Sequence, residues 1–276
     1  MNIKIVSDSS CDLKQVDGAI FESAPLKIIT TEREYVDNAD LDVIGMLADL
    51  KAYKGKSHSS CPNSAEYLAA FGDAENVFCV TITSGLSGSY NAANAAAKEY
   101  MSEHPERHVH VIDSLSAGAE NALLVEKICA LVSEGKNFEE VKAEITEYHN
   151  HTRLVFALES MHNLVNNGRV SPIAAKVAGL LGIRAVGNAS DVGTLEMTGK
   201  SRGPMATAND LLSNMIGDGY KGGRVRIHHA NNPASADLLK TKILEKFPEA
   251  DIVVAMTGGL CSFYAEEGGL MIGFEI

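Results

Sequence analysis

The sequence predicts an α/β protein whose mostly parallel sheets are flanked by helices. Three observations lead there: apolar runs of strand length, amphipathic stretches between them, and polar glycine- and serine-rich loops where runs end. The strand-like runs are IKIV (3–6), LKII (26–29), VFCVTIT (77–83), HVHVID (108–113), RLVFAL (153–158), RVRIHHA (224–230) and DIVVAM (251–256). Apolar residues spaced by three and four mark helices in ALLVEKICALV (122–132), FEEVKAEITEYH (138–149), PIAAKVAGLL (172–181) and ASADLLKTKILEKF (234–247). The segment Gly187 to Thr198 reads as a hairpin with Gly193 near its turn, interrupting the parallel order of the second half. The polar EYHNHTR (147–153) separates two alternations of strand and helix. The expected division is therefore an N-terminal α/β domain, 1–150, with the serine loops, and a C-terminal one, 151–276, with the apolar helix and the hairpin. Ligands of such sheets are expected beyond the carboxyl ends of the strands.

The totals bound the function. A hydrophobic content of 45% over 276 residues is ample for a sizeable core, and 24 Lys and Arg against 36 Asp and Glu give a formal charge of −12. That balance disfavours nucleic acid and anionic membrane surfaces as general partners. The five cysteines, at 11, 61, 79, 129 and 261, include no Cys-x-x-Cys pair, which argues against a disulfide framework or zinc ribbon and for a reducing cytoplasm. No signal-peptide run opens the chain and no segment approaches the roughly 18 apolar residues of a membrane span, so no stable membrane insertion is expected.

The most informative stretch is TITSGLSGSYNAANAAAK, 81–98. A strand leads through a glycine-serine loop into an alanine-rich helix, so hydroxyls and free backbone NH groups converge at a helix N-terminus, a natural anion site. Ser87 reads as an anchor for a bound acid, as a helix cap, or as a nucleophile. The nucleophile reading is the weakest. Gly85-x-Ser87 begins a hydrolase elbow, but Ser89 stands where the second glycine belongs, and none of the nine histidines lies in a supporting motif. His228 and His229, adjacent in a strand, face opposite sides. Phosphate-loop and dinucleotide fingerprints are absent.

Two more loops carry candidates. In HSSCPNSAEYLAAF (58–71), Ser59 and Ser60 precede a helix whose cap is Asn63 or Ser64, and Asp8 ends the first strand, either serving a site or capping a turn. In NNGRVSPIAAKVAGLLGIRAVG (166–187) and GKSRG (199–203), Arg169, Lys200 and Arg202 either offer cations to a phosphate or an acidic partner or are solvated surface charges, beside a helix whose Ala174, Val177, Leu180 and Leu181 are expected to be buried or turned toward an apolar cavity.

Together these loops resemble the DegV family of bacterial fatty-acid-binding proteins over nearly the whole chain. IKIVSDSSCDL (3–13) resembles the family's T-D-S-x-x-D-L opening, APLKI (24–28) its V-P-L segment, and SSCPNS (59–64) its T-S-Q-P-S. ITSGLSGSYNAA (82–93) resembles I-S-S-x-L-S-G-T-Y-x-S-A, and VIDSLSAG (111–118) and NNGRVSPIAAKVAGLLGIRAV (166–186) follow in the family's order. The resemblance implies a two-domain DegV-like fold holding one long acyl chain between the domains. It also implies no catalysis by the chain itself and no cofactor besides the bound fatty acid. A separate dihydroxyacetone-kinase-like fatty-acid kinase would phosphorylate the presented carboxylate. It gives Ser59 and Ser87 the carboxylate, with Ser60, Gly88 and Ser89 as neighbours, and makes Arg169 and Arg202 candidates for docking the kinase. The tail CSFYAEEGGLMIGFEI departs from the family's H-T-G-P-G-A-x-G: Tyr264 stands at the histidine position, with Glu266 and Glu267 beside it. A stand-alone serine hydrolase and a carrier of another carboxylated or phosphorylated small molecule are the alternatives.

Overall fold

The computed structural model describes residues 3–171 and 182–276. Four strands, β1 (Ile3–Asp8), β2 (Ile20–Ala24), β6 (Asn76–Thr81) and β7 (His108–Asp113), form a wholly parallel sheet in the order β2-β1-β6-β7. β1 and β6 lie at its centre and are almost entirely buried, which is why their sequences read as continuous apolar runs. Beside it, β3 (Lys27–Ile29), β4 (Glu34–Val36) and β5 (His58–Ser60) make a small antiparallel sheet, joined by α1 (Val43–Ala52). α2 (Ser64–Phe71) opens with a capping box in which Asn63 and Glu66 bond each other's backbone NH. α3 (Ser89–Glu103) buries Ala93, Ala96 and Ala97, small side chains that let it pack closely, together with Tyr100, whose ring meets Phe71.

The second half differs from expectation. The runs at 153–158, 224–230 and 251–256 do form strands, β8 (Thr152–Leu158), β11 (Val225–His229) and β12 (Ile252–Met256). With β9 (Ile183–Ala189), β10 (Leu195–Arg202) and β13 (Leu270–Glu275) they build a six-stranded sheet ordered β10-β9-β8-β13-β11-β12. Only β11 and β12 run parallel; the other four ladders are antiparallel. The expectation of mostly parallel strands thus holds for the first sheet and is corrected in the second. An apolar strand buried on both faces carries no mark of direction, and β13, which reverses the chain, enters between β8 and β11 from the end of the sequence. The expected hairpin is there: β9 and β10 meet at a turn in which Gly193, at φ +72°, donates to Ser190 O at 2.9 Å.

α4 (Ala119–Ser133) lies between the two larger sheets, touching β1 and β6 on one side and β8, β11 and β13 on the other. Its start approaches β13 closely because residue 273 is glycine; a Cβ there would sit 2.5 Å from backbone atoms of Ala119 and Glu120. Arg226 on β11 reaches across to Glu126 of this helix, with Nη2 2.7 Å from Oε2. α5 (Phe138–Asn150) follows, and the remaining described helices are α6 (His162–Asn166), α7 (Pro204–Gly217), α8 (Pro233–Lys246) and α9 (Gly259–Ala265). The expected helix at 172–181 lies outside the described residues. Among those described, no helix is long and apolar enough to cross a membrane.

Candidate ligand site

A cavity lies where the carboxyl ends of the parallel strands face the six-stranded sheet. Leu26, Ile82 and Leu115 come from loops after β2, β6 and β7, and Leu154, Phe156 and Leu158 from alternate positions of β8. The period of two explains the division: Val155 and Ala157 point instead into the core under α7 and α8. Apolar groups dominate the wall. Thr83, Ser116 and Thr194 are polar residues of the wall, and Ser59, Ser87, Arg169 and Tyr264 also reach the cavity.

Each of these groups is positioned by its element. Ser59 Oγ and Tyr264 OH share a hydrogen bond of 2.7 Å that joins β5 to α9. Ser87 precedes the first turn of α3, and its Oγ accepts from Ser89 N at 3.3 Å, so the hydroxyl caps loosely while facing the cavity. Arg169 donates from Nε to Leu86 O at 3.2 Å and from Nη1 to Asn167 O at 2.5 Å, and its guanidinium carbon lies 5.7 Å from the centre of the Tyr264 ring. Burial raises the Tyr264 hydroxyl above the ordinary tyrosine value, opposed by its bond to Ser59 and by the Arg169 charge. It is a neutral donor and acceptor at physiological pH. Glu266 and Glu267 are held elsewhere: Glu266 Oε1 accepts from Asn163 N at 3.0 Å, and Glu267 Oε2 pairs with Lys51 Nζ at 2.7 Å.

The other sequence candidates lie outside this group. Ser60 alternates away from Ser59 on β5 and pairs with Lys27. Gly88 is the N-cap residue of α3, 3.5 Å from Cys61 Sγ at the position a Cβ would take. The Ser89 hydroxyl is turned away from the cavity and fully buried, donating to Asp8 Oδ2 at 2.6 Å and receiving Tyr67 OH at 2.6 Å. Arg202 sits exposed at the end of β10, opposite Ile183 and apart from the cavity lining, and Lys200 is exposed on the same strand.

Asp8 is the hub of that buried network rather than a cavity group. It caps the short 3₁₀ turn Ser9–Cys11 and also accepts from Ser10 Oγ at 2.5 Å and from Ile82 N at 2.9 Å. Desolvation raises its carboxyl above the ordinary aspartate value even against those donors. Two further aspartates, not anticipated from the sequence, hold α9 in place. Asp12 Oδ1 accepts from Gly258 N at 2.8 Å while Oδ2 meets His228 Nδ1 at 2.8 Å, and Asp37 accepts from Gly259 N at 2.6 Å and Leu260 N at 2.8 Å. No local pattern marks Asp37, because its partners lie more than two hundred residues away. The hairpin turn is fastened to the serine loop by Thr83 Oγ1 donating to Gly193 O at 2.9 Å. Glycines meet there, since a Cβ on Gly85 would lie 2.9 Å from Gly193 O.

Chemically the arrangement offers neutral hydroxyls, one guanidinium and an apolar enclosure. Among the described imidazoles, His228 bonds Asp12, His149 the carbonyl of Ser114 and His162 Asn166, and no histidine is hydrogen-bonded to Ser87. Among the described residues no group of His, Cys, Asp and Glu is arranged to hold a metal ion.

Comparison with known proteins agrees with this architecture. The model of the DegV family, described as "Uncharacterised protein, DegV family", matches residues 2–275. A DegV domain-containing protein of Streptococcus pneumoniae is 46% identical over 280 residues, covering 100% of both chains. Among solved structures, the Streptococcus pneumoniae Fatty Acid Kinase (Fak) B3 protein loaded with linoleic acid superposes with a TM-score of 0.98 at 46% identity, covering 100% of each chain. A DegV family protein from Eubacterium eligens loaded with heptadecanoic acid superposes with a TM-score of 0.97 at 43% identity, covering 99% of each. By fold and by sequence along its length, the chain belongs to the DegV family.

Proposed function

We propose that the protein binds one long-chain fatty acid in this cavity and presents its carboxylate to a separate fatty-acid kinase that forms acyl phosphate. The observation that carries the reading is the junction of an apolar wall with the hydroxyls of Ser59, Ser87 and Tyr264, beside Arg169. Fatty acids held by the similar pneumococcal and Eubacterium proteins support it. Burying about fifteen methylenes yields roughly 12 kcal/mol before ordering costs, enough for tight retention. The carboxylate must meanwhile keep hydrogen-bond donors, because desolvating it bare costs several kcal/mol.

In this reading Ser87 and Ser59 donate to the carboxylate, Tyr264 orients Ser59 or donates in its turn, and backbone NH groups at Gly88 and Ser89 add the dipole of the helix start. Arg169, first expected to dock the kinase, faces the same cluster and balances the carboxylate charge, which leaves exposed Arg202 as the docking candidate. The chain itself acts as a non-catalytic cytoplasmic carrier, its kinase partner of the dihydroxyacetone-kinase-like class. Its halves 1–150 and 151–276 serve as the two domains around the ligand, a division supported by the separation of the sheets. Native mass spectrometry of the purified protein tests the reading. A co-purifying fatty acid, largely lost from the double variant Ser59→Ala/Ser87→Ala, is expected; a protein that neither carries nor takes up fatty acids would overturn it.

A further inference from the structure

Helix α9 comes from the far end of the chain, yet it is seated on the first half. Leu260, Cys261, Tyr264 and Ala265, spaced as one helix face, line the cavity. Away from that face, Phe263 packs with Ile28, Tyr35 and Met46. Seven residues are too few to fix a helix by its own hydrogen bonds, since isolated helices shorter than about 12 residues are marginal, so its tethers decide where it stands. Three consecutive NH groups at its start donate to carboxylates of the first half: Gly258 to Asp12 Oδ1 at 2.8 Å, Gly259 to Asp37 Oδ1 at 2.6 Å and Leu260 to Asp37 Oδ2 at 2.8 Å. Glycine permits the approach. A Cβ on Gly258 would lie 3.1 Å from Asp12 Oδ1 and 3.2 Å from Asp37 Oδ1, and one on Gly259 would lie 2.9 Å from Asp37 Oδ1. Asp37 directly follows β4, which with β5 flanks β3, so that Tyr35 and Ser59 both stand opposite Ile28. One small sheet therefore holds α9 at both ends, through Asp37 at the first turn and through Ser59, bonded to Tyr264 OH at 2.7 Å, at the last.

We propose that Asp12 and Asp37 are positioning residues for the ligand carboxylate: by fixing the start of α9 they set where the Tyr264 hydroxyl stands, and through it the Ser59 hydroxyl. The inference rests on the acyl-binding reading of the cavity. Among the described residues that line the cavity neither aspartate appears, so neither touches the ligand. Tyr264 lies about one turn beyond Leu260, some 6 Å along the axis, so a shift or tilt at the clasped end is carried to its ring. A hydrogen bond weakens steeply with misalignment, and a small displacement is enough to part Tyr264 from Ser59. Asp12 is braced in turn by His228 Nδ1, 2.8 Å from its Oδ2, which ties the clasp to β11 of the six-stranded sheet.

The test is a double-mutant cycle read by oleate titration of delipidated wild type, Asp37→Ala, Tyr264→Phe and the double variant, each below the onset of its thermal melt. Asp37→Ala should weaken oleate about fivefold, as Tyr264→Phe does, and the double variant should lose no more than about fivefold, because both changes break one chain of contacts. Asp37→Asn, whose amide oxygen keeps one acceptor, should bind within about twofold of wild type. A merely structural aspartate would lower the melting temperature alike in both backgrounds and leave the affinity of the folded protein unchanged. Should Asp37→Ala fail to fold, Gly258→Ala takes its place in the cycle. At φ −69° alanine suits that backbone, and its methyl group crowds both carboxylates without removing either; a loss of about threefold, absent in the Tyr264→Phe background, is expected. Affinity within about twofold of wild type for folded Asp37→Ala, or for Gly258→Ala where it stands in, would overturn the positioning role and leave the acyl-binding reading intact. So would a loss of about 25-fold in the double variant of Asp37→Ala, or of about 15-fold in that of Gly258→Ala, the products of independent effects. Wild type that binds no oleate would overturn both.

Discussion

Two sets of hydroxyls lie on either side of the start of α3, and they have opposite fates. In front, Ser87 and Ser59 face an apolar cavity, Ser59 sharing a hydrogen bond with Tyr264. Behind, Ser89 and Ser10 donate to Asp8, buried with Tyr67 between sheet and helix. Ser87 and Ser89 are two residues apart in one motif, yet one is free to meet a ligand and the other is part of the scaffold. The difference teaches that a motif serine is assigned by which side of the helix start it occupies, and that the rear network fixes the front one. Asp8 ties β1, the loop at Ile82 and the first residue of α3 into one unit, so Ser87 stands at a determined place.

The largest expected effect comes from breaking the rear set at its hub. Asp8→Ala leaves several buried donors without an acceptor and should cost about 3–5 kcal/mol of stability, read from the urea midpoint. A loss below about 1 kcal/mol would mean that the network is incidental. Next comes the direct exchange of roles. Ser87→Ala should weaken oleate binding about tenfold with stability changed by less than about 0.5 kcal/mol, whereas Ser89→Ala should cost about 1–2 kcal/mol and leave oleate affinity nearly unchanged. Calorimetry and thermal melts on the same preparations separate the two, and equal effects would erase the distinction. Tyr264→Phe, which deletes one hydroxyl from the front set, should weaken oleate binding about fivefold and move the melting temperature little.

A pH-dependent effect concerns the clamp on α9. Burial pushes the Asp37 carboxyl up to about 6 despite two backbone donors. Because the folded value lies above the ordinary one, the stability this group contributes is full below about pH 4 and is lost as pH rises through about 6. The stability advantage of wild type over Asp37→Asn should therefore shrink between pH 4 and pH 7 in chemical unfolding. A difference independent of pH would show that Asp37 does not titrate in this window.

Much of this was readable from local pattern. β7 coincides with the run 108–113, α4, α5 and α8 fall on the periodic stretches, and Gly193 sits in the expected turn. The serine loop at the carboxyl end of β6 could be read because strand, glycine and alanine-rich helix are all local signals. What could not be read depends on partners distant in sequence. The antiparallel insertion of β13 and the short strands β2, β4 and β5 are defined by their neighbours, not by their own alternation. Asp12, Asp37 and Thr83 acquire roles only when the halves meet. The burial of Ser89 and the inward turn of Arg169 are likewise consequences of packing, since the residue types suit either side equally well.

The most direct measurement is a crystal structure of the delipidated wild-type protein after incubation with oleate. The account predicts continuous density for one acyl chain in the cavity, its carboxylate within hydrogen-bond distance of Ser87 and Ser59. A carboxylate bound away from both serines, or a cavity without a chain in protein saturated with oleate, would contradict it.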